Sequence, residues 1–276
     1  MFGLTLKTLM KNLVLIGVAL VSSGLIIDGA SKIHFRPEFT VKYTLKEEVS
    51  LKELIETKID CNAVKPVVYK KFPDLRGLHP SVRKEVFIKL LLPPVLIAQK
   101  NIELQRALLL KLEKKTTAGI PLSQDEKDFI ERMIKRYKAR TLKGLLFKFR
   151  PHPISLVIAQ AAIESGWGTS RFAREANNLF GIWQFNGKRG IKAKDSDAKL
   201  RVYKTIMGSI EDYLYNLNAG WAYKEYRKAR LQTKNPLVLI EHLSTYSILR
   251  EEYTERLKDV INHNKLHRYD RCRIEE

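Results

Sequence analysis

A single carboxylate stands where the surrounding sequence disfavours a charge. Glu164 follows the largely apolar residues 154–163 and precedes Gly166 and Gly168. A helix that ends at these glycines places Glu164 in its last turn, where the helix macrodipole disfavours a negative charge. Apolar neighbours also make a carboxyl group hold its proton more tightly, as a general acid working near neutral pH requires. The alternative is an ordinary glutamate that reaches solvent at the helix end or pairs with an arginine.

Glycine, aromatic and amide residues cluster directly after Glu164. Five of the fourteen glycines fall between Gly166 and Gly190, and all three tryptophans lie in the second half of the chain. Flat aromatic faces and amides suit the apolar face and the hydroxyls of a sugar, and glycine lets a backbone approach a ligand closely. Core packing or a plain turn is the alternative for each residue taken singly. The candidate sugar-binding side chains are Trp167, Asn177, Asn178, Phe180 and Trp183.

The segment AQAAIESGWGTSRFAREANNLFGIW closely resembles the glucosaminidase family of bacterial peptidoglycan hydrolases, which is glycoside hydrolase family 73. It is most similar to the Bax-like branch of that family. The matching motifs are ESGWG at residues 164–168 and NNLFGI at residues 177–182. A looser resemblance spans roughly residues 70–265 and adds Tyr203 to the candidate sugar-binding residues. The resemblance implies a lysozyme-like α+β fold that is mainly α, with a small β or loop-rich lobe.

The same resemblance implies the reaction. We expect an endo-acting hydrolase that cuts the β-1,4 bond after N-acetylglucosamine in peptidoglycan, with Glu164 as the general acid. A lytic transglycosylase or a muramidase on a similar fold is the alternative among enzymes. A cell-wall-binding protein that keeps a degenerate groove is the alternative outside enzymes.

The second catalytic group is less clear than the first. Glycosidic cleavage needs a proton on the leaving oxygen and stabilisation of an oxocarbenium-like centre. Asp195 and Asp197 could supply a second carboxylate, or they belong to a solvated loop. The family often carries a glutamate in a longer version of this lobe, but none lies between Glu175 and Glu211 here. The acetamide of an N-acetylated sugar could act as the nucleophile instead, in substrate-assisted hydrolysis.

The family also implicates a tyrosine late in the domain, and Tyr246 matches it best. A phenol there could orient the acetamide or polarise water, and the alternative is a buried tyrosine with a satisfied hydroxyl. Tyr203 and Tyr253 are weaker candidates of the same kind. The six histidines include no HExxH motif, and the sequence has no phosphate loop and no dinucleotide fingerprint. We therefore expect neither a metal nor a cofactor.

Helical periodicity dominates the elements that must position these residues. Residues 82–112 are predicted to form a helical body in which Pro93 and Pro94 end or kink one helix. Ser123, with Glu126 three residues later, is the signature of a capping box at the start of another helix. The chain is therefore predicted to be predominantly α-helical.

Residues after position 150 predict where the helices around the candidate site begin and end. Pro153 suits the first turn of the helix that leads to the glycines. Residues 180–203 lose the helical period, which indicates a small hairpin or an irregular lobe. Ser209, with Asp212 at the third position, is predicted to cap the following helix, and Asn235 to start another.

The N-terminal residues 1–33 are predicted to be a signal peptide or a membrane anchor. Lys7 and Lys11 precede an uncharged run, residues 12–27, that stops at Asp28. This pattern directs the following chain outward, to the periplasm or the outer face of the inner membrane. We favour an uncleaved anchor. Residues 34–69 are predicted to be a charged spacer, residues 70–268 the glucosaminidase domain and residues 269–276 a tail.

The net charge is +20, from 50 basic and 30 acidic residues. A cationic surface accumulates near polyanions, and an export signal leaves an anionic cell wall as the natural partner in place of nucleic acid. The alternative is a lysine-rich composition without any role in recognition. The two cysteines, Cys61 and Cys272, could pair in an oxidising compartment or remain free thiols.

Overall fold

The computed structural model describes residues 40–184, 190–192, 199–246 and 251–275. For Thr245 and Tyr246 it describes only the backbone. The helices are α1 (Leu51–Glu56), α2 (Pro80–Thr117), α3 (Gln124–Arg136), α4 (Leu142–Lys148), α5 (Ile154–Ser165), α6 (Arg171–Ala176), α7 (Ile206–Ala219), α8 (Lys224–Gln232), α9 (Pro236–Ile240) and α10 (Glu251–His263). Short 3-10 turns cover Trp221–Tyr223, Glu241–Tyr246 and Leu266–Arg271.

The strands form two small sheets. Strands β1 (Thr44–Lys46) and β2 (Val67–Tyr69) pair in parallel. Strands β3 (Trp183–Gln184), β4 (Gly190–Lys192) and β5 (Lys199–Arg201) form an antiparallel sheet in the order β3-β5-β4. This second sheet is the small lobe predicted between residues 180 and 203. The predicted class, mainly α with a small β lobe, is confirmed.

Helix α5 lies in the core. Its residues from Leu156 to Ala162 have no exposed surface, which is typical of a helix that is apolar on all sides and packed all round. It packs against α2, α10 and the 3-10 turn Leu266–Arg271. Its last residue is Ser165, and Gly166 follows in the left-handed conformation with φ of 57°. The predicted helix end at the glycines is confirmed.

The start of α5 is capped from the far end of the chain. The residue before the helix, Pro153, provides no side-chain cap. Asp270 takes over this role, because its carboxylate accepts hydrogen bonds from the Ser155 amide at 2.8 Å and from the Ser155 hydroxyl at 2.7 Å. A carboxylate at a helix N-terminus satisfies a free N–H and complements the macrodipole.

Helix α2 differs from the prediction. It continues through Pro93 and Pro94 and spans 38 residues, so the prolines do not end a helix. The other predicted outcome, a kink at this pair, stays a prediction. Nearly every residue from Val86 to Ala98 is buried against neighbouring elements, which include α4, α5 and α7. Tertiary packing on this scale outweighs the roughly 3 kcal/mol that a proline costs inside a helix.

Two of the three predicted helix caps are observed. Ser123 and Glu126 form the reciprocal capping box of α3, and the Asn235 side chain caps α9. The prediction for Ser209 is wrong, because Thr205 caps α7 through its hydroxyl. Ser209 lies one turn inside that helix, where its buried hydroxyl accepts a hydrogen bond from the Leu179 amide at 3.2 Å.

Part of the predicted spacer and the predicted tail are folded, which corrects both predictions. Residues 44–69 contain β1, α1 and β2, and scattered apolar side chains such as Leu54 pack onto the core. Val64 pairs with Ile274, and Cys61 forms a disulfide with Cys272. These contacts are long-range, so a charged and aperiodic sequence does not reveal them. None of the described helices combines the length and apolar character needed to cross a membrane. The predicted anchor, residues 1–33, lies outside the described residues.

Candidate active site

The Glu164 carboxyl lies half-buried in the last turn of α5. Burial raises its pKa above the ordinary value, while a hydrogen bond from Tyr253 and the positive charge of Arg256 act in the opposite direction. The prediction that this carboxyl holds its proton more tightly is confirmed. Gly181 passes beside it, since a Cβ atom at that position would lie 3.7 Å from Glu164 Oε2. With φ of 64°, the Gly181 backbone favours glycine for its conformation as well.

A chain of buried hydrogen bonds holds the partner of Glu164. The Tyr253 hydroxyl donates to the Glu164 carboxylate and accepts a hydrogen bond from Gln160 Nε2 at 2.9 Å. Gln160 Oε1 in turn accepts from the Tyr213 hydroxyl. Tyr213 stacks on Phe180 with ring centroids 4.0 Å apart. Because the Tyr253 oxygen accepts a hydrogen bond from Gln160, the Tyr253 hydroxyl is oriented to donate its own proton to the carboxylate.

Tyr223 is a second phenol that interacts with Glu164. Burial, together with the nearby Glu164 charge, raises the pKa of the Tyr223 phenol to about 12. Burial and the same charge also raise the pKa of Tyr253. Both phenols therefore stay protonated at neutral pH and can donate hydrogen bonds. Among the residues that the structure describes, the two phenols and the Arg256 guanidinium interact electrostatically with this carboxyl.

The ESGWG motif builds a tight loop after α5. Gly166, Trp167 and Gly168 have φ angles of 57°, 56° and 80°, which glycine adopts without cost and tryptophan only under strain. The Trp167 amide bonds to the Ala162 carbonyl at 2.8 Å, which closes the helix end as in a Schellman motif. The buried Ser165 hydroxyl accepts from the Gly168 amide at 2.9 Å. The motif therefore fixes the backbone immediately beyond Glu164.

The structure places two aromatic candidates at or near the core. Phe180 is buried, and its ring stacks on Tyr213. Its predicted part in shaping the sugar-binding groove stays a prediction. Trp167 contacts Phe87 edge-on at a centroid distance of 5.5 Å, with Lys84 Nζ 5.2 Å from its ring. It is partly buried, and a role in sugar binding stays a prediction.

The side chains of the two asparagines are buried and form hydrogen bonds with backbone groups. Asn177 accepts from the Phe72 amide and donates to the Lys70 and Tyr203 carbonyls. Asn178 exchanges hydrogen bonds with Ile182 and donates to the Arg201 carbonyl. These bonds join the NNLFGI loop to the segment that follows β2 and to β5. A part for the two amides in sugar binding stays a prediction.

The other candidates lie in and around the small lobe. Trp183 on β3 is 46% exposed, as a ligand-facing aromatic residue requires. The Tyr203 hydroxyl donates to Asp212, which also pairs with Arg201. The side chain of Tyr246 and both residues Asp195 and Asp197 lie outside the described part of the chain. No cluster of three histidine, cysteine or acidic side chains that could hold a metal occurs among the described residues.

Gln160 and Tyr213 are site residues that the sequence analysis missed. Gln160 lies four residues before Glu164, so both side chains share one face of α5. A lone amide inside the apolar run was the signal that could have identified it. Tyr213 carries no comparable local signal, because only the packing of α7 brings its hydroxyl to Gln160.

Comparison with known proteins decides the family. Residues 148–266 match the family model described as mannosyl-glycoprotein endo-beta-N-acetylglucosaminidase. Over 200 residues the chain is 30% identical to Protein bax of Escherichia coli (strain K12), and this match covers 67% of the chain and 71% of that protein. The chain belongs to the glucosaminidase family. It is a glycoside hydrolase of the Bax-like branch, as the sequence motifs predicted.

Other relatives match shorter segments. The chain is 31% identical over 130 residues to Exo-glucosaminidase LytG of Bacillus subtilis (strain 168), a match that covers 42% of the chain and 45% of LytG. It is 33% identical over 124 residues to Peptidoglycan hydrolase FlgJ of Salmonella typhimurium, covering 39% of the chain and 37% of FlgJ. The catalytic domain of the autolysin Auto from Listeria monocytogenes aligns with a TM-score of 0.37 at 24% identity, over 58% of the chain and 97% of that domain.

Proposed function

We propose that this glucosaminidase cuts the β-1,4 bond after N-acetylglucosamine within peptidoglycan glycan strands, with Glu164 as the general acid. The observation that carries the proposal is a half-buried carboxyl whose pKa is raised, beside two protonated phenols, in a motif typical of the family. The names of the relatives FlgJ, a peptidoglycan hydrolase, and LytG, an exo-glucosaminidase, support the substrate class.

Glu164 performs the proton transfer in this mechanism. Its protonated carboxyl donates to the glycosidic oxygen as the bond to the anomeric carbon breaks, and the leaving sugar departs as an alcohol. Before that step, burial keeps the proton on the carboxyl at a pH where an exposed glutamate has lost it. After the transfer, the Tyr253 hydroxyl and the Arg256 charge stabilise the carboxylate that remains.

The oxocarbenium-like centre requires a second group. Substrate-assisted hydrolysis, in which the acetamide oxygen of the sugar attacks the anomeric carbon, requires no second carboxylate. Tyr246 would orient the acetamide in that route. Asp195 and Asp197 are the alternative source of a base or a stabilising charge. Trp167, Trp183 and Tyr203 are proposed to contact the glycan strand.

The N-terminal segment and the net charge support a proposed location of the enzyme in the cell envelope. Residues 1–33 would direct the chain to the cell envelope or anchor it there. The balance of 50 basic and 30 acidic residues would then hold the protein near a wall that carries peptide carboxylates.

Product analysis tests the proposed reaction. Purified peptidoglycan is digested with the full chain, and the released saccharides are identified by mass spectrometry. A glucosaminidase leaves a reducing N-acetylglucosamine end, and early products of mixed length indicate endo cleavage.

A reducing N-acetylmuramic acid end would show a muramidase, and an anhydro end a transglycosylase. Binding to the wall without any released saccharide would show a wall-binding protein. Each of these last three results contradicts the proposal.

A further inference from the structure

Trp221 is the most exposed large apolar side chain in the part of the chain that the structure describes. Its exposed fraction is 91%, compared with 52% for Ile120, which is next in order. Tryptophan is a highly buried residue on average, and apolar surface left in water costs about 25 cal/mol per Å². Almost the whole indole ring is therefore available to a ligand, and covering it would gain the free energy that burial of apolar surface provides.

The position of Trp221 joins it to the active site. The 3-10 turn Trp221–Tyr223 places it two residues before Tyr223, whose phenol lies close enough to Glu164 to respond to its charge. The same turn packs against the 3-10 turn Glu241–Tyr246. Trp221 therefore lies on a turn that adjoins both the surroundings of the proposed general acid and the segment that carries Tyr246.

The turn that carries Trp221 is held rigidly. Arg227 donates hydrogen bonds to the Gly220 carbonyl at 2.7 Å and to the Leu217 carbonyl at 3.0 Å. A Cβ atom at Gly220 would lie 2.7 Å from the Asn216 carbonyl oxygen and 3.0 Å from the Tyr223 ring, so this close packing requires glycine. A side chain that projects from a fixed turn loses less conformational freedom when it binds a ligand.

We propose that Trp221 is a stacking platform for a sugar of the glycan strand that lies beyond the two sugars at the scissile bond. The indole face carries the negative part of the ring quadrupole, which attracts the C–H groups on the apolar face of a pyranose ring. Trp221 is separate from the sugar-binding residues predicted from the sequence. The inference rests on the proposed function, since that function identifies a glycan strand as the occupant.

Binding to an inactive variant tests the platform. In the Glu164→Gln background, calorimetry compares a disaccharide with a hexasaccharide of N-acetylglucosamine. We expect Trp221→Ala to weaken hexasaccharide binding about tenfold and to leave disaccharide binding unchanged. Trp221→Phe should keep most of the affinity, because it keeps an aromatic face. Leu231→Ala removes another exposed apolar side chain, on α8, and serves as the control without effect. Equal hexasaccharide affinity with and without Trp221 would overturn the proposal.

Kinetic measurements distinguish a failure of the Trp221 proposal from a failure of the proposed function. On peptide-free glycan strands, Trp221→Ala should raise KM about tenfold and leave kcat unchanged, as expected for a contact that persists from substrate to transition state. If the wild type cleaves strands and the variant has the same KM, the platform fails and the proposed function stands. If the wild type cleaves nothing but binds hexasaccharide through Trp221, the proposed function fails alone. A change only in self-association or vesicle binding would overturn the platform.

Discussion

At the scale of single residues, the Glu164 carboxyl is subject to opposing influences. Burial favours its protonated form, and the Tyr253 hydrogen bond with the Arg256 charge favours its ionised form. A general acid needs both, because it must hold the proton before the reaction and lose it during the reaction. Gln160 and Tyr213 fix the direction of the Tyr253 hydroxyl and so contribute without touching the carboxyl.

Tyr253→Phe tests this balance through the pH dependence of the rate. The hydrogen bond lowers the pKa of Glu164, so its removal raises that pKa further. Since the acid must be protonated, the rate falls as the pH rises through this pKa, and the variant should retain activity to higher pH. We expect kcat at the pH optimum to fall about tenfold, because the developing carboxylate loses a donor. Arg256→Gln should shift the profile in the same direction. A shift of the basic limb to lower pH would contradict this assignment.

The role of Glu164 as a general acid could be predicted from neighbouring residues alone. The apolar helix, the glycines that end it and the carboxyl all lie close together in the sequence. The burial of Asn177, Asn178 and Phe180 could not be predicted in this way. Residue type indicates what a side chain can bind, but which face of the fold it occupies depends on elements far away in the sequence. The amides bond to the segment after β2 and to β5, and Phe180 stacks on a tyrosine of α7.

At the scale of elements, the loop between α5 and α6 sets the direction in which the chain leaves Glu164. Three consecutive residues in the left-handed conformation turn the chain sharply at this point. Gly168 then lies directly against the buried Phe72 ring. The loop is thus a rigid part of the site, although a short glycine-rich sequence is equally typical of a flexible one.

Gly168→Ala tests that rigidity. The new Cβ atom would lie 2.4 Å from Phe72 Cε1, and φ of 80° is a conformation that alanine rarely adopts. We expect the free energy of unfolding to fall by about 2–4 kcal/mol in chemical denaturation. Gly77→Ala is the matched control, since no atom lies within 4 Å of a Cβ there, and it should cost far less. Equal effects of the two substitutions would show that the loop can relax.

Helix ends were predictable where the capping residues sit beside their partners in sequence. The capping box of Ser123 and Glu126 and the cap at Asn235 are of this kind. The cap of α5 by Asp270 was not predictable, because 115 positions separate it from Ser155. The continuation of α2 through two prolines likewise depends on tertiary packing, which the helix propensities of single residues do not predict.

At the scale of the whole molecule, the two ends of the described chain meet at the start of α5. The disulfide between Cys61 and Cys272 and the bridge between Val64 and Ile274 join the N-terminal segment to the C-terminal one. Asp270, two residues before Cys272, caps the helix that carries Glu164. Local sequence patterns could not choose between paired and free thiols, since the two cysteines lie 211 positions apart.

Replacing both cysteines with serine tests the contribution of this link. A disulfide that closes so long a loop restricts the unfolded chain strongly, so we expect the variant to lose about 2–5 kcal/mol of unfolding free energy. Urea denaturation of the wild type with and without reductant provides the matched comparison, and the reduced wild type should resemble the double variant. An oxidised wild type no more stable than either would contradict a structural role for the disulfide.

The rate of wall cleavage by Glu164→Gln tests the proposed mechanism most directly. Saccharide release from purified peptidoglycan is measured for the wild type, for Glu164→Gln and for Glu175→Gln, which alters an exposed glutamate on α6. We expect Glu164→Gln to lower the rate by about 10²–10⁴-fold, since the amide keeps the shape of the side chain but has no proton to transfer. Glu175→Gln should match the wild type. Cleavage by Glu164→Gln at the wild-type rate would contradict the assignment of Glu164 as the general acid.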